Sequence, residues 1–282
     1  MKIYENLVLD AERALYGERE AYIKNCRFDG VADGESALKE GEKITAEDCY
    51  FNLRYPLWHC DGVKIKNSEM TENCRAALWY STDVEISSSE LHGIKALREC
   101  KNIKIENCDV ISPEFGWFSS DILVRRSSFV SEYFMLRAKN IDFSKVDFKG
   151  KYSFQYIENS HFENCNFDTK DAFWHAKNVV VRNSRIKGEY LAWYCEDVTF
   201  ENCEIIGTQP LCYCKNLKLV NCTMTDCDLS FEKSSVDAEI IGHIDSVKNA
   251  ESGKILADSI GEIINESGSC KIIEREKEYA TK

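Results

Sequence analysis

KNIKIENCDV at residues 101–110 returns as KNVVVRNSRI at 177–186 and as KNLKLVNCTM at 215–224, offsets of 76 and then 38, both multiples of 19. A phrase that recurs on a short fixed period marks a stacked repeat, in which each unit presents the same inward residues to the units above and below it. Its phase is set by one small residue: Cys26, Cys49, Ser68, Ser89, Cys108, Ser127, Val146, Cys165, Ser184, Cys203 and Cys222 share a register. From Cys108 onward every step is 19, and the early steps of 21 and 23 are loop insertions.

Five and three residues before this column stand β-branched or large apolar pairs such as Val63 and Ile65, Ile103 and Ile105, Val179 and Val181, with Lys64, Lys104 and Glu106 between or beside them. That is the alternation of a short strand with one buried face. The residue just before the column is often Asn, as at Asn67, Asn107, Asn164, Asn183, Asn202 and Asn221, a side chain that bonds its own backbone at a bend. Two residues past the column a second apolar series begins with Phe28, Phe51 and Met70. A turn, a third strand and an Asx position at 83, 102, 121, 140, 159, 178, 197 and 216 close the coil. Three strands in about 19 residues leave no room for a helix-containing repeat, and the leucine-rich phrase is absent. The expected fold is all-β: a right-handed parallel β-helix of about eleven rungs spaced ~4.8 Å, its hand taken from that of parallel crossovers. The expected layout is one domain, with an N-terminal cap at 1–20, repeats at 21–235 and a C-terminal cap or tail at 236–282.

Composition sets the function classes. The formal charge of −12 disfavours nucleic acid and anionic membrane and points to neutral partners. No stretch reaches the roughly 18–20 apolar residues of a membrane span, and MKIYENLVLDAERALYG lacks the apolar run of a secretory signal, so a cytoplasmic protein is expected. Fourteen Cys in a chain this long, several of them in a register shared with Ser, read as small core residues in a reducing compartment rather than as a disulfide framework.

YPLWHCDG, CRAALWYS, HGIKALREC, SPEFGW, GKYSFQY, TKDAFWH, GEYLAWY, GTQPLCYCKN and GHIDSVKN together resemble a bacterial family of pectate-lyase-like right-handed β-helix proteins, domain of unknown function 3737. The resemblance implies the fold over nearly the whole chain and transfers no catalytic residue.

The third strand carries the functional reading, because its windows RYPLWHC, RAALWYS, EYFMLRA, KYSFQYI, KDAFWHA, EYLAWYC and TQPLCYC are far richer in aromatics than the chain's 11%. The seventh position is small and apolar, so alternation places positions three, five and seven inside, with Trp58, Trp79, Trp117, Trp174 and Trp193 sealed in the core beside an awkward Arg98 and Gln155. Positions two, four and six then face outward as a strip of Tyr, His and Leu too apolar for a monomer to leave bare. Substrate contacts are expected from His59, Tyr133, Arg137, Tyr152, Tyr156, His175, Tyr190, Tyr194 and Tyr213, whose rings combine an apolar body with a polar edge suited to a neutral oligosaccharide. If the protein is an enzyme, it is of glycoside hydrolase or polysaccharide lyase type. Asp171 with Glu189, or Glu114 with Glu132, supplies the pair of carboxyls, since each pair sits on neighbouring rungs.

Blander readings stand beside these. The acidic pairs also suit turns solvated next to Lys151 and Lys170. The RIK triplet at 185–187 lacks the other motifs of polygalacturonases, His59 and His175 are six rungs apart, and Cys212 and Cys214 form a lone pair of core thiols, so no metal and no cofactor is expected. The same aromatic strip equally fits a non-catalytic scaffold that uses it as a homo-oligomer or protein-partner interface. Residues 236–265, including His243, Asp245, Ser246 and Lys248, break the repeat and are expected to cap the open end or fold across the strip, and EREKEYATK at 274–282 reads as solvated.

Overall fold

The computed structural model describes residues 1–275 and divides the chain into two compact units, residues 1–149 and the chain from 150 onward. Both are parallel β-helices, and no helix occurs among the described residues.

In the first unit, eight strands make the first wall: Lys2–Glu5, Arg19–Lys24, Glu42–Glu47, Asp61–Lys66, Thr82–Ser87, Lys101–Glu106, Ser120–Arg125 and Lys139–Ser144. They pair parallel and in register, for example Ile103 with Ile122 and Ile105 with Val124, so identical inward rows stack coil upon coil. The second wall is shorter, Arg27–Phe28 to Ser128–Glu132, and begins with Phe28 stacked on Phe51 at 4.7 Å. In the second unit the first wall runs through Glu158–Glu163, Lys177–Arg182, Glu196–Glu201, Leu217–Thr225, Ser235–Ile240, Ser252–Ala257 and Lys271–Glu274.

The ladder thus extends past the expected eleven rungs at both ends. Lys2–Glu5, placed in a cap by the sequence pattern, pairs with the strand that starts at Arg19. Residues 236–265, expected to cap the end or fold across the strip, carry further strands of the ladder: Ser235 pairs with Ser252 and Lys254 with Lys271, which continues the coil. The step from 235 to 252, and again from 254 to 271, is 17 in place of 19, which is why the phrase loses its phase in this stretch. Most of EREKEYATK lies outside the described residues.

The column of small residues has a hydrogen-bonding reason. Cys49 and Cys108 each turn their thiols to the carbonyl two residues earlier at 3.3 Å, and Ser68 and Ser127 do the same with hydroxyls at 2.7 and 2.9 Å. Position and donor are shared, so Cys and Ser interchange where Leu does not fit. The fourteen thiols are all free and buried. The preceding Asn residues hold left-handed backbone, φ 54° at Asn107 and 48° at Asn183, a conformation Asn tolerates because its amide bonds locally. Their amides also stack, with Asn221 donating to Asn202 at 2.8 Å.

The third wall departs from a strand. From Glu114 onward every second residue has positive φ, as in Tyr133 (54°), Met135 (57°) and Arg137 (55°), or Tyr190 (57°), Ala192 (58°) and Tyr194 (61°), and in the earlier coils the second and sixth positions do, as in Tyr55 (56°) and His59 (52°). Side chains alternate faces only on an extended backbone, so the period-two expectation fails here. Positions three and four both point inward, and five and six both point outward, except at Cys212, which is buried. Leu57, Leu78, Leu97 and Met135 in the first unit and Phe154, Phe173, Ala192 and Leu211 in the second, all expected outside, are fully buried at 0% exposure. Trp58, Trp79, Trp117, Trp174 and Trp193, expected inside, lie half-exposed on the outer surface. Left-handed φ costs an ordinary residue about 1–2 kcal/mol. Hydrogen bonds between coils offset it, since Tyr156 donates its N–H to Trp174 at 2.8 Å and His175 to Trp193 at 2.9 Å.

Candidate functional site: an outward aromatic wall

In the second unit the fifth and sixth positions build two adjacent ladders. Trp174 lies flat on Trp193 with centroids 5.4 Å apart and planes 5° apart. Beside them Tyr156, His175, Tyr194 and Tyr213 form one stack with centroids 4.7, 5.0 and 4.9 Å apart. Stacking consumes the ring faces, so what the wall shows to solvent is ring edges; Tyr156 is 38% and Tyr194 44% exposed. The indole N–H groups are spent on architecture: Trp174 donates to the Tyr190 carbonyl at 2.7 Å and Trp193 to that of Gln209 at 2.8 Å. Gln155, expected to be buried, holds the same place with its amide on the Asp171 carbonyl at 3.2 Å. Burial holds His175 below the usual histidine range, and at Tyr213 burial and then Glu232 raise the phenol above its ordinary value.

The first unit repeats the design. Trp58 stacks on Trp79 at 5.4 Å, His59 on Tyr80 at 4.8 Å, and the Arg98 guanidinium sits 5.1 Å from Trp79 and 5.5 Å from Trp117. Arg98 needs no buried partner after all: it fills the place of a ring in the outer stack and pairs with Glu99 at 3.2 Å. Tyr133 is 44% exposed and Arg137 is exposed in the same wall.

The acidic candidates are brought onto neighbouring coils. Asp171 donates its backbone N–H to the carbonyl of Glu189 at 3.0 Å, and Glu114 to that of Glu132 at 2.8 Å. Their side chains fare differently. Glu189 is held by Lys170 at 2.7 Å and Glu114 by Lys95 at 3.2 Å, while Glu132 is exposed. Asp171, expected on an outward row, is only 7% exposed. Burial raises its carboxyl above the ordinary range; Lys170 opposes the rise and Glu189 adds to it. Tyr152 and Tyr190 flank it on the preceding and following coils, both half-buried, and Tyr190 meets Trp193 edge-on at 5.3 Å.

Elsewhere, Ile186 of the RIK triplet is a core residue, and Cys212 and Cys214 are both buried. His243 lies 2.8 Å from Ser259 and 3.8 Å from Asp245 on an exposed strand pair, whereas Ser246 is buried and Lys248 pairs with Glu232. Among the described residues no group of three or more His, Cys, Asp or Glu is placed to hold a metal ion. An open trough of about 510 Å³ in the first unit lies on a different surface, the outside of the first wall, beside Lys64, Glu85 and Lys104.

The tryptophans and Arg98 are the wall residues that alternation missed. A signal was available in the fourth position, whose Leu57, Leu78, Leu97, Met135, Phe154, Phe173 and Leu211 are apolar without a polar exception, as a core row should be.

A family profile described as "Protein of unknown function (DUF3737)" matches residues 2–275. No curated protein matches the chain. Among solved structures, the A-module of the mannuronan C-5 epimerase AlgE4 of Azotobacter vinelandii is 8% identical, with 91% of this chain and 89% of that one covered and a TM-score of 0.33. The surface adhesin PfbA of Streptococcus pneumoniae is 9% identical, with 96% and 75% covered and a TM-score of 0.33. The catalytic domain of a GH87 α-1,3-glucanase in complex with nigerose is 8% identical, with 81% and 60% covered and a TM-score of 0.32. These likenesses are remote in both sequence and superposition.

Proposed function

The chain belongs to the DUF3737 family, and we propose that it is a non-catalytic binding protein that takes a carbohydrate chain along the outward aromatic wall of residues 152–213. The observation that carries this reading is the stack of Tyr156, His175, Tyr194 and Tyr213. With the faces used up, each coil offers one hydroxyl or imidazole nitrogen flanked by apolar ring edge, repeating every ~4.8 Å. A polyol chain laid along the coil axis would meet a hydrogen-bonding group at each step and an apolar strip between steps. A regular wall of this kind suits a polymer better than a small molecule, whose sites are concave.

Binding is favoured over hydrolysis by the state of the carboxyls. Glycosidic chemistry needs two of them facing one bond, one as acid and one as base or nucleophile. Asp171 is buried, and Glu189 and Glu114 are each neutralised by a lysine. We place the protein in a reducing, cytoplasmic compartment, a reading supported by thiols that pack as small apolar groups with carbonyl partners.

A second reading is supported by the same exposed edges: two copies could bury their walls against each other, since Tyr, Trp and Arg are enriched in interface cores. Thermal shift with a panel of neutral oligosaccharides, run beside a solution-mass measurement, separates the two. The carbohydrate reading expects a monomer whose melting temperature rises with ligand, with the rise lost in Tyr156→Ala and Tyr194→Ala. No shift across the panel, with a dimer that dissociates in Tyr194→Glu, would overturn it in favour of the interface.

A further inference from the structure

The aromatic ladder of the second unit has a fixed step and a fixed length, and both limit what can lie on it. The rings of Tyr156, His175, Tyr194 and Tyr213 follow one another at 4.7, 5.0 and 4.9 Å, each within 14° of parallel to the next, so the row is nearly straight along the coil axis. It ends at Glu232 on the next coil, whose carboxylate accepts from the Tyr213 hydroxyl at 3.5 Å and is held by Lys248 at 3.1 Å. The middle of the row is chemically unspent: among the described residues the Tyr194 hydroxyl and the His175 ring nitrogens make no hydrogen bond. Burial holds His175 below the usual histidine range and so keeps it neutral near pH 7, with one donor and one acceptor nitrogen. On one flank Trp174 and Trp193 lie 5.4 Å apart with their N–H groups bound to carbonyls, which leaves an apolar shoulder beside these two groups.

A linear polymer matches this row only if it advances by one coil, ~4.8 Å, for each group it presents. An extended peptide does not, because its side chains return to one face only every second residue, roughly 6.6 Å. A nucleic-acid strand is opposed by the net charge of −12. An α-1,4-linked glucan winds into a helix and turns its hydroxyls off any straight line within a few sugars. A β-1,4-linked glucan is a flat ribbon that advances by little more than one coil per sugar, with equatorial hydroxyls along both margins and apolar C–H groups on its faces. We propose that the ladder takes a β-1,4-linked glycan ribbon of the glucan type, its margin against the ring edges, with one sugar on each of four coils. The inference rests on the carbohydrate reading above and narrows it to one backbone geometry. Sugar hydroxyls exchange hydrogen bonds with the Tyr194 hydroxyl and the His175 ring, while Tyr213, its proton turned to Glu232, serves as an acceptor. The Trp174 and Trp193 shoulder meets the apolar C–H groups. Because the sugar advance slightly exceeds the coil step, the match holds over a few sugars and then drifts.

The test is calorimetric titration of the full chain with cello-oligosaccharides and malto-oligosaccharides of two to six sugars, against wild type and Tyr194→Phe, a variant that keeps the stacked ring and removes only its hydroxyl. The expected result is an affinity that climbs from two to four sugars in the cello series and levels beyond four, with no such climb in the malto series. Tyr194→Phe is expected to weaken the four-sugar ligand by a few-fold to about tenfold, the worth of one neutral hydrogen bond. Malto-oligosaccharides that bind as tightly at every length overturn the ribbon inference and leave the carbohydrate reading standing. A cello series that is flat from two to four sugars, or still climbing at six, overturns the four-coil ladder. A climb that Tyr194→Phe leaves untouched overturns it too, since the sugar then lies on another surface. Failure of both series to bind also overturns it, and the wider panel of neutral oligosaccharides named above then decides the carbohydrate reading by itself. Should Tyr194→Phe fold poorly, the comparison of the two series on wild type decides alone.

Discussion

Replacing Phe173 by alanine is expected to destabilise its unit by about 3–5 kcal/mol, the usual cost of emptying a buried phenylalanine site. Phe173 is fully buried and packs against Phe154 at 4.9 Å, Phe162 at 5.4 Å and Phe167 at 6.2 Å, a cluster whose coil geometry leaves little room to collapse into the void. Tyr194, on the outer side of the following coil, behaves differently. Tyr194→Ala removes a ring that is 44% exposed and stacks on His175 and Tyr213, two aromatic contacts at about 0.5–1.5 kcal/mol each, for a total of about 1–3 kcal/mol. Strict alternation along the third wall would make both Phe173 and Tyr194 outward residues of comparable cost, so a clear excess for Phe173 tests the facing directly. Urea unfolding followed by far-ultraviolet circular dichroism measures both, with the slopes compared because stacked coils can unfold in more than one step. A Phe173→Ala midpoint equal to or above that of Tyr194→Ala, at unchanged slope, would refute the two-in, two-out arrangement on which the aromatic wall rests.

The native protein is expected to react negligibly with a water-soluble disulfide reagent and to show all fourteen thiols in denaturant; burial pushes Cys60, Cys212 and Cys227 each up to about 12, which suppresses the reactive thiolate. Several fast-reacting thiols in the folded protein would contradict the core placement. Arg98→Ala is expected to cost about 1–2 kcal/mol by opening the stack between Trp79 and Trp117, and Arg98→Lys to restore only part of it, as thermal melts would show. Asp171→Asn is expected to stabilise the protein near neutral pH and to bring little benefit in acid. The folded-state carboxyl titrates above its unfolded value, so the folded state holds the proton more tightly, and the associated stability is present below the unfolded pKa and lost as pH rises through the raised one. Melts of both proteins at pH 4 and pH 7 read the difference; a larger gain in acid than at neutrality would contradict the placement of Asp171.

The repeat was legible because each coil must match its neighbours. Val179 and Val181 sit over the corresponding residues of the next strand, Val198 and Phe200, and a coil that broke that match would leave a void or a clash through the stack. The Cys and Ser column was legible for a similar reason, since only a small side chain with one donor fits beside the carbonyl two residues back. The outward positions of Tyr156, His175 and Tyr194 also followed from the pattern, though by an alternation that did not hold for their neighbours. Where the coil shortens beyond Ser235, to a step of 17, the phrase drifts out of phase while the pairing persists, so pairing outlived its sequence signature.

What residue order determined by itself was the period, the parallel stacking and the inward rows of the first two walls, because extended backbone ties each side chain's direction to its position. The direction of the third wall was decided by tertiary structure. Left-handed φ at Tyr190, Ala192 and Tyr194 has no signature in residue type, unlike the Asn bends, and is held by hydrogen bonds to the adjoining coils that exist only once those coils have stacked. That is why the tryptophans came to lie outside beside the tyrosines, and why Asp171 came to be buried.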